Sequence, residues 1–194
     1  MIKNRLDKKG FSLAELLLAI AIMLLATSIV VAGIPAAVSA YRKVVDVANA
    51  NVLLTTTATC LRDELDMATD AKISKSGNTT TVDYYDADGW HCIMNSTVNG
   101  DNAQSITVTK SYETSKSDTM PPKSDTMLLV SDSAASKKFV VAFAGAEKVG
   151  DVITFKNIKI YKKNSSDSTT VIPNVELAEY KVRMMKKTEG GVND

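Results

Sequence analysis

Lys8-Lys9-Gly10-Phe11-Ser12-Leu13-Ala14-Glu15 opens onto Leu16–Ala40, a run of 25 residues without a charged side chain. At 1.5 Å per residue an α-helix of that length reaches about 38 Å, more than the ~30 Å hydrocarbon core of a bilayer. The run therefore predicts a membrane-spanning helix. Its basic flank is N-terminal, which places the leader in the cytoplasm and the remainder outside. Glu15 is out of place in a plain anchor. A charge at the centre of a spanning helix costs roughly 2.5–3.5 kcal/mol on insertion scales, less near an end, and an acid kept there is by default a functional group. The bland alternative is an interfacial acid neutralised by protonation.

Charge is unevenly spread over the 194 residues. Lys3, Arg5, Lys8 and Lys9 against Asp7 give residues 1–10 a charge of +3, leaving 19 basic and 21 acidic residues, −2, in the rest. That balance supplies no basic field of the kind that attracts nucleic acid. An ordinary secretory signal is the main competing reading, and Val38-Ser39-Ala40 fits its small-residue cleavage pattern. Such signals have apolar regions of roughly 7–15 residues. The stretch starting at Phe11 is about twice that length, and a signal peptide has no use for Glu15.

Gly10-Phe11-Ser12-Leu13-Ala14-Glu15-Leu16-Leu17 resembles the processing site of type IV pilins and type II secretion pseudopilins. The resemblance covers roughly residues 5–40. It implies cleavage by a prepilin peptidase between Gly10 and Phe11, N-methylation of the new Phe11 amine, and an assembly role for Glu15 as fifth residue of the processed chain. It also implies that Pro35 marks a bend or unwound stretch of the helix. Proline removes one backbone hydrogen bond and kinks or locally melts a helix.

Elementary electrostatics agrees with the motif. Before cleavage the Phe11 nitrogen is a neutral amide; afterwards it is an ammonium at the membrane end of a helix. Two unit charges 4 Å apart attract by roughly 4 kcal/mol at an effective dielectric of 20. Glu15 lies about 6 Å along the axis from Phe11 of its own helix, so it is better placed to meet the amine of a neighbour displaced by one turn. That contact is head-to-tail, and its repetition builds an open helical filament.

Beyond Ala40 the helix is expected to continue to about Ala68, within an amphipathic segment 41–72. Leu54, Ala58, Leu61, Leu65 and Ala68 mark its apolar face, Val44 and Ala48 extend it, and Arg62, Asp63 and Asp66 lie opposite. From about Ser74 short strands alternate with polar turns. Val82–Tyr85 and His91–Met94 flank Asp86-Ala87-Asp88-Gly89, a hairpin loop. Ser105–Thr109, Met127–Val130, Phe139–Phe143 and Val152–Tyr161 are further strands; Val175–Met185 reads as strand or short helix. In Val152–Tyr161 the alternation puts Ile153, Phe155 and Tyr161 on one face, with Ile158 and Ile160 on the other. The predicted fold is α+β, a long helix against an antiparallel sheet. The pentapeptide Lys-Ser-Asp-Thr-Met occurs at 116–120 and again at 123–127 around Pro121-Pro122, and reads as a duplicated exposed loop.

No catalytic constellation stands out, so the chain reads as a non-enzyme without cofactor or metal. His91 adjoins Cys92 in a predicted strand, where neighbours point to opposite faces. Asp83, Asp86 and Asp88 lack the full pattern of a calcium loop. Cys60 and Cys92 are open to two readings, a disulfide if exported or two independent thiols. Lys156, Lys159, Lys162, Lys163, Lys181, Arg183, Lys186 and Lys187 are read as a solvated face and not as a nucleic-acid site.

The resulting organisation is a cleaved cytoplasmic leader 1–10, a transmembrane and filament-core helix 11–40, its amphipathic continuation 41–72, and an extracytoplasmic β-rich head 73–194. The expected role is a structural subunit, more minor than major, of a pilus-like or pseudopilus filament serving adhesion, motility, DNA uptake or secretion. Its expected partners are prepilin peptidase, other pilin or pseudopilin subunits, the cytoplasmic membrane before assembly, and indirectly an assembly platform and ATPase. The rival reading is a monomeric, single-pass, membrane-anchored extracytoplasmic binding module.

Overall fold

The computed structural model describes residues 12–111, 124–130, 138–164 and 168–185. Gly10, Phe11, the first pentapeptide copy, Lys186 and Lys187 lie outside them. The chain divides into two compact units, Met1–Asp46 and Val47–Asp194. One helix, α1 (Leu13–Asp66), runs through the described part of the first and opens the second.

Among the described residues eight strands follow: β1 (Thr69–Ser76), β2 (Thr79–Tyr85), β3 (His91–Asn99), β4 (Asn102–Ser111), β5 (Ser124–Leu128), β6 (Phe139–Val149), β7 (Val152–Lys163) and β8 (Thr169–Arg183). They form two antiparallel meanders, β1-β2-β3-β4-β5 and β6-β7-β8. The architecture is α+β, a long apolar N-terminal helix whose outer part packs against antiparallel sheets, as expected for a pilin-like chain. Two sheets replace the one expected.

The helix is apolar all round to about Ala40, then carries a single buried stripe. Ala50, Leu53, Leu54, Thr57, Leu61 and Leu65 make that stripe, and Arg62, Asp63 and Asp66 are exposed. Val44 and Ala48 are exposed, so the stripe starts later than expected. Thr57, and not Ala58, is fully buried; its hydroxyl donates to Leu53 O at 2.8 Å, which removes the cost of burying it. The helix stops at Asp66, short of Ala68 and of position 72. Asp70 has φ 52° at a register shift in β1, a turn out of helical geometry.

Leu61, Leu65, Tyr84, Met94, Phe143, Phe155 and Ile158 all belong to one core that joins helix and both sheets. Hydroxyls bind the sheets together. Ser96 Oγ accepts Phe143 N–H at 2.9 Å and donates to Phe143 O at 3.0 Å. Thr169 Oγ1 donates to Asp101 O at 2.6 Å and accepts Ala103 N–H at 3.0 Å. These bonds satisfy backbone groups that the ladders leave over.

The faces of β7 differ from the expected alternation. Ile153, Phe155, Ile158 and Ile160 lie in the main core, whereas Tyr161 packs with Val140 and Ala142 in a smaller cluster. Asn157 sits at φ 52°. One residue in the left-handed region shifts the two-residue phase, so positions 158 and 160 return to the core face. The uncertain C-terminal stretch is strand: β8 starts at Thr169, ahead of the expected 175.

Candidate assembly site

Helix α1 begins with a reciprocal cap. Ser12 N–H donates to Glu15 Oε2 at 2.9 Å, and Glu15 N–H donates to Ser12 Oγ at 3.3 Å. Ser12-Leu13-Ala14-Glu15 is thus a capping box, in which an N-cap serine and an acid three residues on satisfy two of the helix's orphan donors. The carboxylate also complements the positive end of the helix dipole. Ser12 is thus a functional residue beside Glu15, and the Ser-x-x-Glu spacing is its signal in the sequence.

The cap fixes where Glu15 points. Its carboxylate folds back onto the Ser12 N–H at the first residue of the cap. An ionised carboxylate has roughly four acceptor positions. Holding Ser12 N–H uses one, which leaves capacity for an ammonium alongside. The capped geometry and an intermolecular ion pair are compatible.

Behind the cap the surface is apolar and uncovered. Leu13, Leu17, Met23, Leu25, Ile29 and Val31 are each more than 60% exposed. The helix is long and apolar enough to cross a membrane by length and composition. Two of its hydroxyls bond within the helix: Thr27 Oγ1 donates to Met23 O and Ser28 Oγ to Leu25 O, both at 2.7 Å. No hydroxyl of that pair needs water, as hydrocarbon demands. The helix runs through Pro35, whose missing N–H leaves the Val31 carbonyl without its helical donor. A Cβ at Gly33 would meet nothing within 4 Å, so the bare backbone there is not required by packing within the chain.

A family model described as the prokaryotic N-terminal methylation motif matches residues 5–31. The chain carries the type IV pilin and pseudopilin signature. The proteins defined by this signature are structural and not catalytic, and a long apolar N-terminal helix accompanies it here. No curated protein and no solved structure matches the chain.

The remaining candidate residues are dispersed. Cys60 and Cys92 are free thiols. Cys92 is buried, its Sγ 3.5 Å from Trp90 O and 3.9 Å from Asp86 Oδ2, and burial pushes its pKa up to about 11. Burial likewise raises Cys60. Asp83 binds His91 Nε2 at 2.8 Å, while Asp86 Oδ1 accepts the N–H groups of Asp88 and Trp90 at 3.0 and 2.9 Å. Asp86 therefore shapes the β2–β3 loop. Among the described residues no group of three or more His, Cys, Asp or Glu side chains is arranged to hold a metal ion.

In the β7–β8 ladder the described basic residues face acids or neutral residues: Lys156 is opposite Glu179, Lys159 opposite Glu176, Lys162 opposite Thr170 and Lys181 opposite Thr154. Lys156 meets Glu147 at 2.6 Å, Lys159 meets Glu176 at 3.0 Å and Lys181 meets Glu179 at 3.6 Å.

Sequence reasoning missed one cluster altogether. Glu64 Oε1, on the helix, accepts Tyr84 OH from β2 at 2.8 Å and Lys110 Nζ from β4 at 2.8 Å. Lys110 also lies 3.6 Å from Asp86 Oδ2. Burial and the Glu64 carboxylate drive the Tyr84 phenol far above its ordinary range. For Lys110, burial lowers the ammonium's pKa, yet the Glu64 hydrogen bond and charge outweigh it and leave the pKa raised. The trio ties the helix to the first sheet.

Proposed function

We propose that this chain is a structural subunit, a minor one, of a type IV pilus-like or pseudopilus filament. It is made as a single-pass protein of the cytoplasmic membrane with residues 1–10 inside and the head outside. A prepilin peptidase cuts between Gly10 and Phe11 and methylates the Phe11 amine. An assembly platform and its ATPase then draw the helix out of lipid into a bundle of like helices, where Glu15 receives the Phe11 ammonium of a neighbour.

The observation that carries this reading is the methylation motif fused to a charge-free helix whose only early acid is already turned toward its own N-terminus. The apolar surface of Leu16–Ala40 has two suitable environments, lipid and a bundle of the same helices. Transfer between them costs little hydrophobic free energy, so polar pairing and close packing decide when the helix leaves the bilayer. Glu15 is the group that differs most between the two. It is stranded at an interface in lipid and neutralised in the bundle.

The test is intact mass and N-terminal sequence of the full chain from cells with and without a prepilin peptidase. With the enzyme the chain is expected to begin at Phe11 and to gain the mass of one methyl group. A start at Tyr41, or an unaltered Met1, would reject the proposal.

A further inference from the structure

Tyr41, Arg42, Lys43 and Val44 follow directly on the charge-free run, and all four are exposed. Among the described residues neither Arg42 nor Lys43 meets a carboxylate within ion-pair reach. The helix face that starts here has the make-up of a covered surface. Tyr41, Val44, Ala48, Val52, Thr55 and Thr59 recur at helical spacing, all exposed and none charged. The hydroxyls of Thr55 and Thr59 turn back on the helix and donate to Asn51 O and Thr55 O, both at 3.1 Å.

The head holds a groove of opposite character. About 310 Å³ in volume, it is lined by Asp86, Asp88 and Trp90 of the β2–β3 loop, Lys110 of β4, and Asp125 and Met127 of β5. Trp90 and Met127 are its apolar walls. Lys110 Nζ is already engaged, 2.8 Å from Glu64 Oε1 and 3.6 Å from Asp86 Oδ2. Four carboxylates, Glu64 included, against one ammonium give a formal charge of −3. Asp88 and Asp125 are exposed, and among the described residues neither meets a cation within ion-pair reach.

We propose, on the filament reading given above, that this groove receives Arg42 and Lys43 of a second copy of the chain. The methylene stems of the two cations lie along Trp90 and Met127, and their charged heads reach Asp88 and Asp125. An indole face adds attraction for a guanidinium. Before assembly Arg42 and Lys43 stand at headgroup height, where aromatic rings and cations settle against anionic lipid. A filament has no headgroups, and the groove supplies carboxylates in their place. The two patches differ, so the contact is head-to-tail, like that of Glu15 with Phe11, and repeats along an open filament. Opposite charge on the two patches also selects which surfaces meet and in what register.

Charge exchange in the full chain beside its native assembly machinery tests the proposal, read as the fraction of processed chain in sheared filaments. Arg42→Glu with Lys43→Glu should lower that fraction at least about tenfold, and so should Asp88→Lys with Asp125→Lys, both with cleavage after Gly10 unchanged. All four changes together should bring it back to within about threefold of wild type. A four-change chain no better than either pair would overturn the proposal. Loss confined to the Arg42 and Lys43 pair would assign those cations to lipid headgroups and overturn it equally. A cross-link covers a head that fails to fold: Lys43→Cys in one tagged copy and Asp88→Cys in another should join as a disulfide-linked dimer within filaments. Its absence from assembled filaments would reject the contact. A wild-type chain cut after Gly10 yet never found in filaments would sink the filament reading and this contact with it, whereas each of the other contrary results leaves that reading standing.

Discussion

Glu64 offers the sharpest test of how the helix is held to the first sheet. Replacing it by alanine removes the acceptor shared by Tyr84 and Lys110. A hydrogen bond to a charged group contributes roughly 1.5–3 kcal/mol. The Lys110 pair, with side chains 26% and 22% exposed, adds about 0–1 kcal/mol once solvent screening is allowed for. The expected loss is about 2–4 kcal/mol, or roughly 4–16 °C in midpoint for a unit of this size. The assay is thermal unfolding of the full chain in detergent micelles, followed through Trp90, which packs against the main core. Tyr84→Phe completes a double-mutant cycle. In wild type it should cost at least about 1 kcal/mol, and in the Glu64→Ala background close to nothing, since the hydroxyl no longer has its partner. Coupling below about 0.5 kcal/mol would refute the account, because it would mean the phenol finds an equal acceptor without Glu64.

Two further outcomes follow from the head. Cys92 (to about 11), Tyr84 and Lys110 all have folded pKa values above their ordinary ones of 9.0, 10.0 and 10.5. The folded state then holds protons that the unfolded chain releases, so their contribution is complete below pH 9 and falls as pH rises through 9–11; urea midpoints that stay flat to pH 11 would contradict these environments. At Asn157, φ 52° costs a β-branched residue roughly 1–2 kcal/mol. Asn157→Val should therefore destabilise by about that amount while Asn157→Gly stays within about 0.5 kcal/mol, and equal losses in chemical denaturation would argue against the phase shift in β7.

Legibility in the sequence followed locality. The leader, the charge-free run and Glu15 are read from neighbours within a few residues, and so is the Asp86–Gly89 hairpin, whose turn chemistry is self-contained. The strand β1 escaped notice because a polar stretch with only Ala71 and Ile73 lacks an alternating apolar face. Ile158 and Ile160 face the core against simple alternation because a single residue with positive φ resets the phase, and nothing in the chain flags Asn157 over other asparagines. Glu64 was unreadable for a different reason: its partners are 20 and 46 residues away and meet it only after the sheet has folded. Thr57 entered the core in place of Ala58 because a hydroxyl bonded to its own helix behaves as an apolar surface.

The central claim concerns charge at Glu15, and Glu15→Gln isolates it. Glutamine serves a capping box as glutamate does, so the helix start is retained while the negative charge is removed. The decisive measurement is the fraction of processed chain found in sheared filaments, wild type against Glu15→Gln, at equal expression beside the native assembly machinery. The account predicts that the variant is cut after Gly10 and held in the membrane but falls at least about tenfold in filaments, a loss matching one weakened ion pair of a few kcal/mol. Incorporation of the uncharged variant at the wild-type level would contradict it.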